Sequence, residues 1–182
     1  MVYCLLPGTK ITLLSGVNIN IEELKLEDTL IVCNIQGFEN QEITNILNKE
    51  INTFKVIKTN SLIKNIWKNY VYSYYSINDK LYLTGDHIIF IKRDGNYVWK
   101  YVSDIILNDQ IYNINGIFET INDIRIINKE TFVYNLEVNK YFNFFANDIL
   151  VHNGGKGGKG DDCSSCSSSC GGESSSDDDD DY

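Results

Sequence analysis

Short β-prone runs separated by turn signals fill the first 153 residues, and they restrict the fold more than any other feature. Apolar and polar residues alternate over 17–21, and residues 80–91 have the pattern of strand, Gly-Asp turn and strand. Arg-Asp-Gly-Asn at 93–96 is a strong hairpin signal. Residues 44–75 are rich in β-branched and aromatic side chains, with a turn expected near 60–68. The pattern predicts an all-β domain.

Two segments of this body have similar sequences. The run Ile-Glu-Glu-Leu-Lys-Leu-Glu-Asp-Thr-Leu at 21–30 matches Val-Ser-Asp-Ile-Ile-Leu-Asn-Asp-Gln-Ile at 102–111, apolar to apolar and acid to acid at most positions. Such an internal repeat predicts two similar structural units within one domain. The alternative is a chance similarity among isoleucine-rich strands.

Composition changes abruptly between Asn153 and Gly154. The last 29 residues are almost entirely Gly, Ser, Asp, Lys and Cys, with eight acidic and two basic side chains, so they carry −6 of the net charge of −9. A segment with so little apolar surface cannot offset the entropy of ordering. We therefore expect an N-terminal flank at 1–3, a folded domain at 4–153 and a disordered tail at 154–182.

Several classes of protein are disfavoured by the composition. The chain lacks the Lys/Arg clusters that neutralise phosphates, so nucleic acid is not an expected partner. It has no run of about 18 apolar residues and no signal-peptide pattern, so neither a membrane nor export is expected. Five cysteines, two of them in the body at Cys4 and Cys33, do not form a disulfide framework, which favours a reducing compartment. We expect a monomer without a cofactor.

The remaining cysteines lie in the tail as Cys163, Cys166 and Cys170. They offer three thiolates with no histidine or fourth cysteine nearby, whereas structural zinc takes four ligands. Metal binding by the tail is therefore kept as the weaker alternative to a flexible, thiol-bearing segment.

Reactive side chains stand at both ends of the body. The amide nitrogen of Asn153 can attack its own main-chain carbonyl, close a succinimide and cut the chain after itself, and His152 is adjacent as a proton donor. At the other end, Cys4 offers a nucleophilic thiol. The structural alternatives are a last strand ending in a His-Asn turn, a buried Cys4 and a turn histidine at His87.

Three blocks in this order resemble the inteins and hedgehog-type self-processing domains, the Hint superfamily. They are Cys4-x-x-x-Gly8-Thr9, Thr84-Gly85-Asp86-His87 and, after Val133 to Val138, the closing Val151-His152-Asn153. The resemblance covers residues 4–153. It implies a horseshoe-shaped all-β domain with a pseudo-two-fold repeat, and there is no room before the closing block for a homing endonuclease.

The resemblance also implies roles for individual residues. Cys4 would convert the Tyr3–Cys4 amide into a thioester by an N-to-S acyl shift, while His87 protonates the departing nitrogen and Thr84 holds the strained amide. His152 and Asn153 would then release the tail by asparagine cyclisation. Asp86 and Asn135 are expected as supporting residues. The substrates would be the chain's own flanking segments, with an external thiol as a second nucleophile.

Three positions depart from the family pattern. Gly154 has no side-chain nucleophile, so ordinary splicing lacks its acceptor, and a tail thiol such as Cys163 is the remaining intramolecular candidate. Asn135 stands where the family often has Asp, and Phe142 stands where it often has His. Gly154 thus favours cleavage over splicing, while the changes at Asn135 and Phe142 predict slow or poorly coupled asparagine cyclisation. All three leave open a degenerate, non-catalytic β module that displays the cysteine-rich tail.

Overall fold

A computed structural model describes residues 3–38 and 43–153, and β-strands dominate this part of the chain. The strands are β1 Lys10–Thr12, β2 Asn18–Asn20, β3 Thr29–Ile35, β4 Val56–Val71, β5 Tyr74–Ile77, β6 Leu81–Leu83, β7 Ile88–Arg93, β8 Asn96–Tyr101, β9 Gln110–Tyr112, β10 Phe118–Thr120, β11 Ile124–Ile127, β12 Thr131–Val138, β13 Asn143–Ala146 and β14 Ile149–His152. A short helix, α1, spans Ile43–Ile46, and 3-10 turns span Ile21–Glu23 and Val102–Asp104. The predicted all-β class is confirmed.

Three sheets organise these strands. The largest has the order β10-β9-β7-β14-β13-β1-β2, with β8 also paired to β7. The others have the orders β11-β5-β6 and β12-β4-β3. Hairpin β7–β8 turns through Asp94 and Gly95, whose φ angles are 50° and 85°, as expected for its Asp-Gly sequence.

The long strand β4 corrects one prediction and joins two parts of the domain. Instead of turning near 60–68, the chain stays extended for 16 residues, pairing first with β3 and then with β12. Its interior lacks glycine and proline, and the partner strands satisfy its main-chain hydrogen bonds, so nothing breaks the strand. The helix α1 was not predicted either.

The internal repeat is present in the structure. Each copy begins with a 3-10 turn, at Ile21–Glu23 and Val102–Asp104, and reaches a left-handed residue at the same position. Those residues are Glu27 with φ 71° and Asn108 with φ 73°. The two repeated segments, 21–30 and 102–111, therefore have the same backbone geometry at equivalent positions.

Two hydrophobic clusters form the core. The first contains Leu5, Leu83, Leu136 and Val151, and the second contains Tyr3, Phe90, Trp99, Phe145 and Leu150. Burying a side chain of this size stabilises a fold by about 1.5–3 kcal/mol. Strands β13 and β14 are buried along their whole length, which places the end of the body inside the core. None of the described helices is long and apolar enough to span a membrane.

Candidate active site

Cys4 is fixed by the residue that follows it. The N–H of Leu5 donates to the carbonyl of Tyr134 at 2.8 Å, and the N–H of Tyr134 donates back at the same distance. Leu5 also bridges to Leu83, so the chain at Cys4 runs between β6 and β12. The Cys4 side chain is 1% exposed as a result.

The environment of the Cys4 thiol keeps it protonated. Burial raises its pKa to about 12, because the thiolate would lose its hydration. The side-chain amide of Asn69 donates to Sγ at 3.3 Å and acts in the opposite direction, but the desolvation effect is larger. Cys4 therefore rests as a thiol and needs a base to become nucleophilic.

Thr84 holds the peptide bond that precedes Cys4. The N–H of Cys4, which is the nitrogen of the Tyr3–Cys4 amide, donates to Thr84 Oγ1 at 3.0 Å. The N–H of Thr84 donates to the carbonyl of Cys4 at 2.9 Å. The hydroxyl therefore lies against the nitrogen that an acyl shift would release.

His87 follows one turn after Thr84, to whose carbonyl its N–H donates at 3.1 Å. The ring is fully buried, and burial, with a smaller effect from His152, lowers its pKa to about 3. Within residues 3–38 and 43–153, neither ring nitrogen of His87 has a hydrogen-bond partner. A buried imidazole with both nitrogens unsatisfied is costly for a fold, which marks His87 as a candidate functional residue.

His152 lies on the strand next to His87. Strand β14 pairs with β7 so that His152 is opposite Ile88, the residue after His87. The His152 ring meets Trp99 edge-on at 5.3 Å between centroids and stacks on Phe142 at 6.4 Å. The two histidines are thus brought together by strand register, as their electrostatic interaction also indicates.

Asn153 is completely buried at the end of β14. Its main-chain N–H donates to the carbonyl of Phe142 at 2.8 Å. We assign the side-chain amide in the orientation that satisfies its hydrogen bonds: Oδ1 accepts from the N–H of Val138 at 3.1 Å, and Nδ2 donates to the carbonyl of Phe142. Both amide atoms are then held by main-chain groups.

The two supporting residues have less direct positions. Asn135 lies opposite Trp67 in the β4–β12 ladder, and its Oδ1 accepts from the next main-chain N–H, that of Leu136, at 2.9 Å. Asp86 is half-buried, and its charge contributes to raising the pKa of Tyr3. The structure thus places Thr84 against Cys4 and His87 one turn from Thr84, and it pairs the strand that follows His87 with the strand that carries His152.

Two residues at the site were not predicted from the sequence. Asn69 contacts the Cys4 sulfur from across the β4–β12 ladder, where it is opposite Val133. Tyr101 forms a side-chain hydrogen bond with Tyr3, the residue before Cys4. Asn69 could have been found only by placing β4 in register with β12, because nothing local distinguishes it from the other asparagines.

The described residues contain no group of three or more His, Cys, Asp or Glu side chains arranged to hold a metal. The tail cysteines Cys163, Cys166 and Cys170, the boundary at Gly154 and the expected disorder of the tail lie outside the described residues.

Comparison with known proteins identifies the fold. The sequence matches no protein-family model and no curated protein. Among solved structures, the bacterial intein-like domain from Clostridium thermocellum is 20% identical and has a TM-score of 0.62, covering 84% of this chain and 100% of its own. The gp41-1 intein is 18% identical with a TM-score of 0.59, covering 82% of this chain and 98% of its own.

A third similar structure is the DnaB intein from Synechocystis sp. PCC 6803, which is 17% identical with a TM-score of 0.58 and covers 82% of this chain and 97% of its own. The chain therefore has the all-β fold of inteins and intein-like domains, over more than four fifths of its length.

Proposed function

We propose that this chain is a self-processing domain that cleaves its own backbone at Cys4 and at Asn153. One observation carries the proposal, the set of contacts around Cys4. The nitrogen of the Tyr3–Cys4 amide is hydrogen-bonded to Thr84, and the Cys4 sulfur is hydrogen-bonded to Asn69. The buried imidazole of His87 lies one turn from Thr84. These contacts support an intramolecular acyl shift, in which proximity replaces a bimolecular encounter.

At Cys4 the sulfur attacks the carbonyl carbon of Tyr3. A C–S bond forms, the C–N bond breaks, and the nitrogen of Cys4 becomes an amine, so the thiol proton ends on that nitrogen. Thr84 Oγ1, already bonded to this nitrogen, holds it in place as it leaves. Water or an external thiol then releases the acyl fragment from the thioester.

His87 acts in this step as a proton carrier. Because the pKa of its ring is about 3, the imidazole is neutral near pH 7 and cannot donate a proton until it has taken one. The Cys4 thiol, with a pKa of about 12, is the proton source. We therefore assign His87 both roles in order: base toward the thiol and then acid toward the departing nitrogen. The first transfer is uphill by about nine pKa units, so the thiolate–imidazolium pair forms only transiently and its proton goes on to the nitrogen as the C–N bond breaks.

At Asn153 the side-chain nitrogen attacks the main-chain carbonyl carbon of the same residue. The C–N bond to Gly154 breaks, a succinimide closes, and the tail leaves with a new amino terminus. The hydrogen bond from Val138 to Oδ1 supports this reaction, because it stabilises the amide as its nitrogen loses a proton. His152, held between Trp99 and Phe142, would supply the proton that the leaving amine takes up.

The outcome we propose is cleavage without splicing. Glycine at position 154 offers no side chain to take over the thioester, so the two flanks cannot be joined by the ordinary transfer. A tail thiol such as Cys163 remains a candidate acceptor, and a ligated product would reveal its participation.

An intact-mass time course tests the proposal. A reporter is fused before Met1, and the purified protein is incubated with and without dithiothreitol. We expect thiol-dependent loss of the upstream segment at Tyr3–Cys4 and slower loss of the tail after Asn153. Cys4→Ala should abolish the first product and Asn153→Ala the second, whereas Cys33→Ala, which changes another buried cysteine of the domain, should retain both.

The alternative is a non-catalytic β module that displays the cysteine-rich tail. The high pKa of Cys4 and the departures at Asn135 and Phe142 favour it. Unchanged mass in the parent, matching that of Cys4→Ala and Asn153→Ala, would establish this alternative. Repeating the time course with zinc tests metal binding by the tail.

A further inference from the structure

The side chain of Tyr3 is buried although it belongs to the segment that the proposed reaction would release. It is 8% exposed and forms part of the second core cluster together with Trp99, Phe145 and Leu150. A departing flank needs no such burial, because the acyl shift involves only main-chain atoms and the sulfur. The domain therefore binds this side chain as well as the peptide bond that follows it.

The phenol of Tyr3 has a specific polar partner. It forms a side-chain hydrogen bond with Tyr101, and the Asp86 carboxylate lies close enough to act on it electrostatically. Burial and these neighbours raise the pKa of Tyr3 to about 12, so the hydroxyl stays protonated over the range in which the reaction would run. Buried phenols usually find a hydrogen-bond partner, and a phenylalanine here would leave Tyr101 without this one.

The chain at the end of strand β8, which carries Tyr101, is hydrogen-bonded to His87. Tyr101 lies opposite Ile88 in the β7–β8 ladder, and the next main-chain N–H, that of Val102, donates to the carbonyl of His87 at 2.8 Å. Tyr3 is in turn bonded covalently to Cys4. Anchoring the phenol therefore positions the Tyr3 carbonyl relative to the nucleophile and the proton carrier.

We propose that Tyr101 and the second core cluster form a recognition site for the residue before Cys4, and that the site selects upstream segments ending in tyrosine. This inference rests on the proposed reaction at Cys4, which it deepens by naming the substrate preference. The site acts before bond cleavage by orienting the acyl group, and it keeps hold of the same side chain in the thioester.

The test uses the full chain with a reporter before Met1 and measures the initial rate of dithiothreitol-induced cleavage for Tyr3, Phe and Ala at position 3. We expect Tyr3→Ala to be slower by about tenfold or more, from lost burial. We expect Tyr3→Phe to be slower by about three- to tenfold, from one lost hydrogen bond.

The cleavage rates with Tyr and with Phe at position 3 are then compared in a Tyr101→Phe background, where the preference for Tyr over Phe should disappear. A purely structural contribution of Tyr3 would not make that preference depend on the Tyr101 hydroxyl. The control is Tyr72→Ala, which removes a tyrosine that is 69% exposed and should leave the rate unchanged. Circular dichroism of each variant verifies that it is folded.

The possible results separate the two proposals. If the parent cleaves and all three residues at position 3 react at one rate, the recognition site is refuted while the self-processing function stands. A Tyr preference that persists in Tyr101→Phe also refutes it. If the parent does not cleave and matches Cys4→Ala, the self-processing function fails and the recognition site with it.

Discussion

Acidification should destabilise the domain through the imidazole of His87. The ring is fully buried and has a pKa of about 3 in the folded state, against about 6.5 in an unfolded chain. Its folded pKa is depressed by burial, so the unfolded state binds a proton more readily. The folded state is therefore favoured fully above pH 6.5, and this advantage is lost as the pH falls from 6.5 toward 3.

The magnitude follows from the two pKa values. Between pH 7 and pH 5 the unfolded histidine becomes almost fully protonated while the folded one stays neutral. Each pKa unit of such a difference is worth about 1.4 kcal/mol, so the loss attributable to His87 is about 2 kcal/mol at pH 5. That is a large fraction of the 5–15 kcal/mol typical of a small domain.

Urea unfolding of the parent and of His87→Asn at pH 7 and pH 5 measures the loss of folding free energy that is attributable to His87. Asparagine cannot titrate, so the variant reports the pH dependence of all other groups, including the Glu119 carboxylate beside Lys80. We expect the parent to lose about 2 kcal/mol more than the variant over this interval. Equal losses would show that His87 is accessible to protons in the folded state, and the proton-carrier role would then need another basis.

Four further predictions concern residues in or beside the candidate site. Asn69→Leu should slow cleavage at Cys4 several-fold, because the thiolate loses a donor, and an unchanged dithiothreitol-induced rate would contradict this. The Cys4 thiol and the His87 imidazole keep their protonation states from pH 7 to pH 10, since their pKa values are about 12 and about 3, and the thiol proton passes internally to the departing nitrogen. The rate at saturating dithiothreitol should therefore change little over this range, whereas a rise of about tenfold per pH unit would indicate attack by free thiolate without His87 as the proton carrier. Gly85→Ala should cost about 1–3 kcal/mol in urea unfolding, because the new Cβ would lie 2.8 Å from Cε2 of Tyr75, and an unaffected midpoint would show that the ring moves aside. Phe142→His should accelerate tail release measured by intact mass, relative to Phe142→Leu, by placing a second titratable ring against the histidine it now stacks on.

Features controlled by local chemistry could be predicted from the sequence. The hairpin at 93–96 forms because Asp94 and Gly95 tolerate positive φ, which that turn requires. The two repeated segments fold alike because the same spacing of apolar and acidic residues leads both copies into a 3-10 turn. The candidates Cys4, Thr84 and His87 came instead from the resemblance of their order and spacing to the Hint pattern, and their catalytic roles stay predictions.

Features that depend on long-range pairing could not be predicted in this way. Asn69 reaches the Cys4 sulfur only because β4 continues unbroken for 16 residues, which the expected turn near 60–68 would have prevented. Tyr101 meets Tyr3 from almost 100 residues further along the chain. Alternation places side chains on a face of a strand, but strand register decides which of them meet.

The proposed site combines favourable geometry with unfavourable protonation. Folding fixes the Cys4 sulfur through Asn69 and the preceding amide through Thr84, yet it raises the thiol pKa from about 9 to about 12, which lowers the thiolate fraction near pH 7 about a thousandfold. Burial also lowers the pKa of His87 and so keeps its imidazole neutral, which is the form that can accept the thiol proton. In the proposed reaction, proton transfer should therefore limit the acyl shift, and the folded domain should be unreactive until that transfer occurs.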